Sequence, residues 1–289
     1  MKFVTSLAFS DPTQLCELAR AAEEAGWDGL VVSDHVVHPE KIATPYPYTK
    51  DGLPRWQAPT PWPDPWVAIG AMAAVTRRVR FFTGIYVLPM RNPFNVAKAV
   101  GTAAVLSGDR VTLGVGVGWM REEFQLLEQP FEQRGPRTDE MIEVLRKLWT
   151  QPLVTHKGAH HVIDNAGINP LPIRRPIPVW FGGAAEPVLR RAARIGDGWM
   201  PAGRPPDDRM KGYVDQLNGY LAAAGRDRTQ FGIDPWISIQ GLDKDEWRRR
   251  VEAWRGLGAS HLAVDTMRAG FATPRAHIDA IRSFREVLS

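Results

Sequence analysis

Strand-like and helix-like segments alternate along the whole chain, and no other property of the sequence restricts the fold as tightly. Short apolar runs bounded by Gly or Pro mark buried strands at Phe3–Leu7, Gly29–Ser33, Val79–Val87, Val111–Val117, Ile177–Phe181, Gly198–Pro201, Phe231–Gln240 and His261–Asp265. Between them apolar residues recur at helical spacing. Leu15, Leu18, Ala19 and Ala22 do so behind Asp11-Pro12, a cap followed by a first-turn proline, until Gly26 stops the helix. Further helices are expected over Asp64–Thr76, from Asn92-Pro93 to Gly108, over Thr138–Thr150, behind Glu186-Pro187, over Asp207–Ala224 and Asp243–Leu257, and from Thr273-Pro274 onward. Eight strands and eight helices in 289 residues fit an α/β protein built as a (β/α)8 TIM barrel. Parallel strands joined by right-handed crossovers have few other closed arrangements. The chain reads as one domain, residues 1–289. Two stretches interrupt the alternation. Val36–Pro63, rich in Pro and aromatic residues, reads as a loop with a small hairpin around Asp51-Gly52, and Val154–Pro176 as a hairpin and loop insertion between the fourth helix and the fifth strand.

Composition narrows the setting. A hydrophobic content of 44% is enough to bury a full core, and a single cysteine, Cys16, excludes a disulfide framework and suits a reducing, cytoplasmic compartment. Met1–Phe9 is cut off by Asp11-Pro12 before it could form the apolar core of a signal peptide, and the apolar stretch Ala68–Val75 is too short to cross a bilayer, so no membrane partner is expected. The net charge of +4 favours anionic ligands, but no aromatic-basic module accompanies it, and no nucleic acid is expected.

In such a barrel, chemistry collects at the C-terminal ends of the strands. Ser33-Asp34-His35 closes the second strand, Thr83-Gly84-Ile85 lies near the end of the third, Gly114-Val115-Gly116-Val117-Gly118-Trp119 ends the fourth, and Gly182-Gly183 ends the fifth. The paired arginines Arg77-Arg78 and Arg174-Arg175 precede strands and belong to the opposite rim. His35 is the acid/base candidate because imidazole changes charge near neutral pH, with Asp34 placed to modulate it or to bond a ligand. The glycines of the fourth strand fit no dinucleotide fingerprint in either register; they suit close backbone approach to a flat ligand, or relief of crowding at a barrel corner. Gly182 and Gly183, with Ala184 and Ala185 opening a helix behind them, suit a phosphate on free amides, or a tight strand-to-helix turn without ligand. His35 and His38 share metal-ligand spacing, but the loop around Pro39 offers no common face, and no metal is expected. Trp56, Trp62, Trp66, Tyr46 and Tyr48 could cover an aromatic ligand or stabilise the long loop itself.

The stretches GLVVSDH at 29–35, TGIYVLPMRNP at 83–93, RVTLGVGVGWMREEF at 110–124 and PVWFGGAAEPVLRRAARIGDGWMP at 178–201 together resemble the bacterial luciferase-like superfamily. Within it they are most similar to the deazaflavin (coenzyme F420)-dependent oxidoreductases; FMN-dependent monooxygenases share the barrel and several motifs. The resemblance implies a flavin-type ring at the C-terminal mouth against a bulge with a non-proline cis peptide, here Gly84 to Ile85. It implies cofactor contacts from Asp34, Thr83, Gly84, Ile85, Gly116, Gly118 and Trp119, a tail phosphate on Gly182, Gly183, Ala184 and Ala185, and His35 with Asp34 as the catalytic pair facing the ring. One position departs from the pattern. Sugar-phosphate dehydrogenases of this group carry a glutamate acid where Trp119 stands, and Glu122 or Glu123 would replace it only if the turn redirects them. The expected activity is hydride transfer between F420 and a small organic substrate, with an FMN monooxygenase or a flavin-binding protein without turnover as alternatives. A homodimer formed through helices near the second and third strands is the implied assembly.

Overall fold

The computed structural model describes residues 1–173, 176–201, 205–266, 269–271 and 273–288. Arg174 and Arg175 therefore lie outside the described residues. The strands are β1 (Lys2–Ser6), β2 (Gly29–Val32), β3 (Arg80–Thr83), β4 (Tyr86–Val87), β5 (Val111–Gly116), the hairpin pair β6 (Val154–Lys157) and β7 (Val162–Ala166), β8 (Val179–Gly182), β9 (Gly198–Met200), β10 (Gly232–Ile233), β11 (Trp236–Ser238) and β12 (His261–Asp265). All barrel pairs are parallel, in the order β10-β9-β8-β5-β3-β2-β1-β12-β11. The expected seventh strand is split at Asp234-Pro235, and its halves face different neighbours: β10 pairs with β9 and β11 pairs with β12. Backbone bonds from Asp234 N to Trp199 O (2.9 Å) and from Ala263 N to Pro235 O (2.8 Å) carry the pairing through the break. The eight-stranded ring thus closes as the sequence predicts. Proline has no N–H to give to a ladder, so the split falls where the sequence puts Pro235.

Outside the ring lie α1 (Leu15–Glu24), α2 (Pro65–Ala74), α3 (Pro93–Ser107), the short α4 (Arg121–Leu126), α5 (Arg134–Thr150), α6 (Glu186–Ile195), α7 (Asp208–Ala223), α8 (Lys244–Gly256) and α9 (Pro274–Leu288). Side chains of Asp64, Asn92, Asp207 and Asp243 cap the first amides of α2, α3, α7 and α8. Each cap sits one residue before the helix, as the turn chemistry of the sequence requires. The main core fills the space between the ring and its helices, whereas Val4, Val31, Phe82 and Ala263 pack inside the ring with Trp236 against them. Trp180 fills the lumen against Gly198 and Gly232, where any Cβ would meet its ring. The insertion forms the predicted hairpin, β6 with β7, packed on α5. Around Asp51-Gly52 there is a turn, with Tyr46 N bonded to Gly52 O at 2.7 Å, but no strand ladder. No helix among the described residues is long and apolar enough to cross a membrane.

Candidate functional site

The third strand, read from the sequence as continuous over Val79–Val87, breaks into β3 and β4 at Gly84-Ile85, whose peptide bond is cis. Ser33 Oγ donates to the Gly84 carbonyl (3.0 Å), and Thr83 Oγ1 to the Gly114 carbonyl (2.8 Å). The Ile85 side chain lies across the ends of β5 and β8, where a Cβ placed on Gly116 or Gly182 would collide with it. Of the two roles expected for these glycines, ligand approach or a structural need, the packing shows the second: both make room for Ile85. The same holds for Gly118: it has φ +79°, and a Cβ there would stand 2.6 Å from Val87 and 2.7 Å from Phe124. Thr83 is fully buried with its hydroxyl committed to Gly114, so it too supports the bulge. The half-buried Ile85 therefore covers the backbone at these strand ends.

Asp34 and His35, expected to work as a pair, are held by different partners. Asp34 is 4% exposed and makes a bidentate pair with Arg91, Nη1 to Oδ2 at 2.8 Å and Nη2 to Oδ1 at 2.7 Å. It also accepts from the Val87 amide at 2.9 Å. Burial pushes this carboxyl upward, and the Arg91 charge and the Val87 amide oppose it. The guanidinium in turn lies 4.1 Å from the centre of the Tyr86 ring. Asp34 therefore anchors the segment after β3, and the catalytic role expected of it has no free oxygen behind it.

His35 Nδ1 stands 2.9 Å from Glu123 Oε2. Glu123 is 2% exposed, and its other oxygen accepts the amides of Val36 (2.7 Å) and Val37 (3.3 Å). Burial raises this carboxyl, but the His35 ring and the two amides outweigh it and hold it below the usual carboxylate range. The turn after Gly118 does redirect a glutamate toward the site, and α4 is the element that does it. Six residues are too few for helical periodicity to show, so α4 escaped the sequence reading. Arg91 escaped because an arginine in a loop carries no signal until its partner is known. Among the described residues the His35 Nε2 atom has no hydrogen-bond partner, and the side chain is 11% exposed.

Aromatic rings surround that imidazole. Trp62 lies 4.7 Å and Trp56 5.0 Å from it, centre to centre, with Trp119 at 6.4 Å. Tyr46 closes the group against Trp56 (5.2 Å) and Trp119 (5.0 Å), and Phe9 packs on Trp62 at 5.2 Å. The loop aromatics thus form a wall over the mouth together with Trp119.

On the other side of the mouth, Gly183 has φ +116°, which an L side chain rarely adopts, and its N–H donates to Met200 O at 3.1 Å. Its carbonyl accepts from Trp199 Nε1 at 2.5 Å, so this glycine shapes the turn rather than offering an amide. Beyond it the picture changes. Ala185 is the cap residue of α6, extended at φ −72° and ψ 146°, and has no side chain able to cap. The amides of Ala184, Ala185 and Glu186 find no protein acceptor among the described residues. Glu186 itself turns away to Arg190 and Tyr220. This helix end presents free N–H groups beside the mouth, a fit for an anion that the Asp- and Asn-capped helices lack.

Comparison with known proteins places the chain. The family model for luciferase-like monooxygenases matches residues 3–286. An uncharacterised protein of Mycobacterium tuberculosis strain H37Rv is 40% identical over 251 residues, 86% of this chain and 85% of that protein. An F420-dependent glucose-6-phosphate dehydrogenase of Segniliparus rotundus is 33% identical over 243 residues, 82% of this chain and 67% of the dehydrogenase. Among solved structures, the monooxygenase RslO1 of Streptomyces bottropensis superposes with a TM-score of 0.80 at 21% identity, covering 100% of this chain and 98% of that one. On the match along nearly its whole length, the chain belongs to the luciferase-like monooxygenase family.

Proposed function

We propose that this protein is an F420-dependent oxidoreductase that moves hydride between the deazaflavin and a small organic substrate, with His35 carrying the accompanying proton. The observation that carries the reading is the mouth itself. A histidine whose Nε2 has no partner among the described residues, the half-buried Ile85 at a backbone bulge and an uncapped helix N-terminus follow β2, β3 and β8, within four consecutive strands of the ring. Ile85 supports the face of a flat ring, and the amides of Ala184, Ala185 and Glu186 hold a tail phosphate. The relative from Segniliparus rotundus, named for F420, favours the deazaflavin over FMN. When bound, the cofactor supplies hydride chemistry; the chain binds it, orients it beside His35 and excludes water behind the wall of Trp56, Trp62 and Trp119. The aromatic rings around His35, Trp119 among them, support a less polar substrate than a sugar phosphate. The test follows the loss of oxidised F420 absorbance against a panel of alcohols and reduced aromatic compounds, with wild type and His35→Ala. Turnover by wild type, lost in the variant while cofactor still binds, is expected. Binding of cofactor with no turnover on any compound would support a binding protein instead, and turnover that needs reduced FMN and O2 would support the monooxygenase reading.

A second copy of the chain is proposed to pack on α2 and α3. α2, which packs on α3, is apolar on nearly every side and leaves Val67 74% exposed, and α3 leaves Leu106 65% exposed. A soluble helix that is hydrophobic all round needs a covering surface.

A further inference from the structure

We propose that Glu123 is a positioning residue that fixes His35 with its proton on Nδ1 and its Nε2 lone pair facing the mouth. The inference rests on the reading of His35 as the proton carrier, and adds which nitrogen meets the substrate and what holds it there.

The geometry carries it. A neutral imidazole has one N–H and one lone pair, and the partner of one nitrogen decides the state of the other. Here Nδ1 faces Glu123 Oε2 at 2.9 Å. The backbone amides of Val36 and Val37 donate to Oε1, and the carboxylate is held below its usual range, so it accepts from His35 and does not donate. Nδ1 therefore supplies the hydrogen. Nε2 is left as an acceptor, among Trp56, Trp62 and Trp119, which restrict the ring plane by packing on it. His35 then takes a proton from a substrate O–H or N–H at Nε2 and becomes imidazolium, and an oxidised deazaflavin bound at the mouth would take the hydride from the adjacent carbon, so that the substrate loses two electrons and two hydrogens in all. The same carboxylate also ties the first two residues of the aromatic loop, so the orientation of His35 and the path of the chain after it are fixed together.

A substitution separates this role from simple packing. In Glu123→Gln, the two amides from Val36 and Val37 keep the carboxamide oxygen at the Oε1 position. The NH2 group then points at His35 Nδ1, which must become the acceptor, and the tautomer inverts to Nε2–H. Long-range proton–nitrogen correlation spectra of protein labelled with 15N-histidine report the tautomer directly, in free protein without cofactor. Wild-type His35 is expected with the proton on Nδ1 in its neutral form, and Glu123→Gln with it on Nε2. A wild-type spectrum showing Nε2–H would overturn the proposal even if no variant folds, and so would a folded Glu123→Gln that keeps Nδ1–H. Because the spectra need no turnover, they stand or fall separately from the F420 reading. In kinetics the variant is expected to lose at least 100-fold in kcat with KM changed less than threefold; an equal loss through KM alone would count against a positioning role.

Discussion

Removing Arg91 tests whether Asp34 anchors the site or serves it. Arg91→Met keeps the aliphatic volume but leaves Asp34, 4% exposed, with only the Val87 amide as partner. Breaking a buried ion pair from one side costs about 3–5 kcal/mol, because the charge left behind is uncompensated. Unfolding entropy of about 2.1 cal/mol/K per residue gives roughly 0.6 kcal/mol/K for this chain, so the midpoint should fall by about 5–8 °C. The double variant Asp34→Asn with Arg91→Met removes the orphaned charge and should recover more than half of that loss. Burial raises the Asp34 carboxyl in the folded state, and the variant loses the charge that opposes this. The penalty is absent below the unfolded aspartate range, near about pH 3.9, and grows as pH rises above it. Thermal melts followed by circular dichroism between pH 4 and 8 measure this. A single variant that loses less than about 1 kcal/mol, or a double variant no better than the single, would refute the anchoring role.

Other consequences are as specific. Gly182→Ala drives a methyl into the base of the Ile85 side chain and should cost about 1–3 kcal/mol, with recovery when Ile85→Ala is added; denaturant titration of the three variants decides it. Ala185→Asp should act in two opposite directions. The new carboxylate caps α6 at a position already extended, stabilising the fold by about 0.5–2 kcal/mol, yet it occupies the free amides and repels a phosphate, so cofactor affinity should drop at least tenfold. A variant that is more stable and binds cofactor as well as wild type would remove the phosphate from that helix end. Asp234 is fully buried, neither carboxylate oxygen has a hydrogen-bond partner among the described residues, and burial, opposed only weakly by the nearby Ala263 amide, raises it well above the ordinary aspartate range. Its contribution is complete below the unfolded value, about pH 3.9, and is lost as pH rises toward the folded one, so Asp234→Asn should gain on wild type steadily as melts are repeated from pH 4 to pH 8. Parallel curves would contradict that.

The barrel was legible because its signals are local. Apolar runs bounded by Gly and Pro, and caps such as Asp64 and Asn92, act over a few residues, so the order of strands and helices could be read directly. The split of the seventh strand was legible only in part, since Pro235 marks a break in a ladder but not that each half faces a different neighbour. At the site, sequence reasoning found His35, the Gly84-Ile85 bulge and the turn before α6, all of which lie at strand ends. For Gly116, Gly118 and Gly182 it left ligand approach and a purely structural role side by side, because a missing Cβ looks the same in either case; the positions of Ile85, Val87 and Phe124 show the structural role. Partnerships of long sequence separation were invisible for the same reason. Asp34 meets Arg91 across 57 residues and His35 meets Glu123 across 88, and no local pattern encodes either.

On the proposed function, the mouth holds a deazaflavin whose ring rests on Ile85 and whose phosphate rests on the start of α6. Equilibrium titration of purified apoprotein with F420 and with FMN, by quenching of cofactor fluorescence, measures it most directly. Tight, saturable binding of F420 is expected, with weaker binding of FMN and a loss of F420 binding in Ala185→Asp. Tight FMN binding with negligible F420 binding would contradict it.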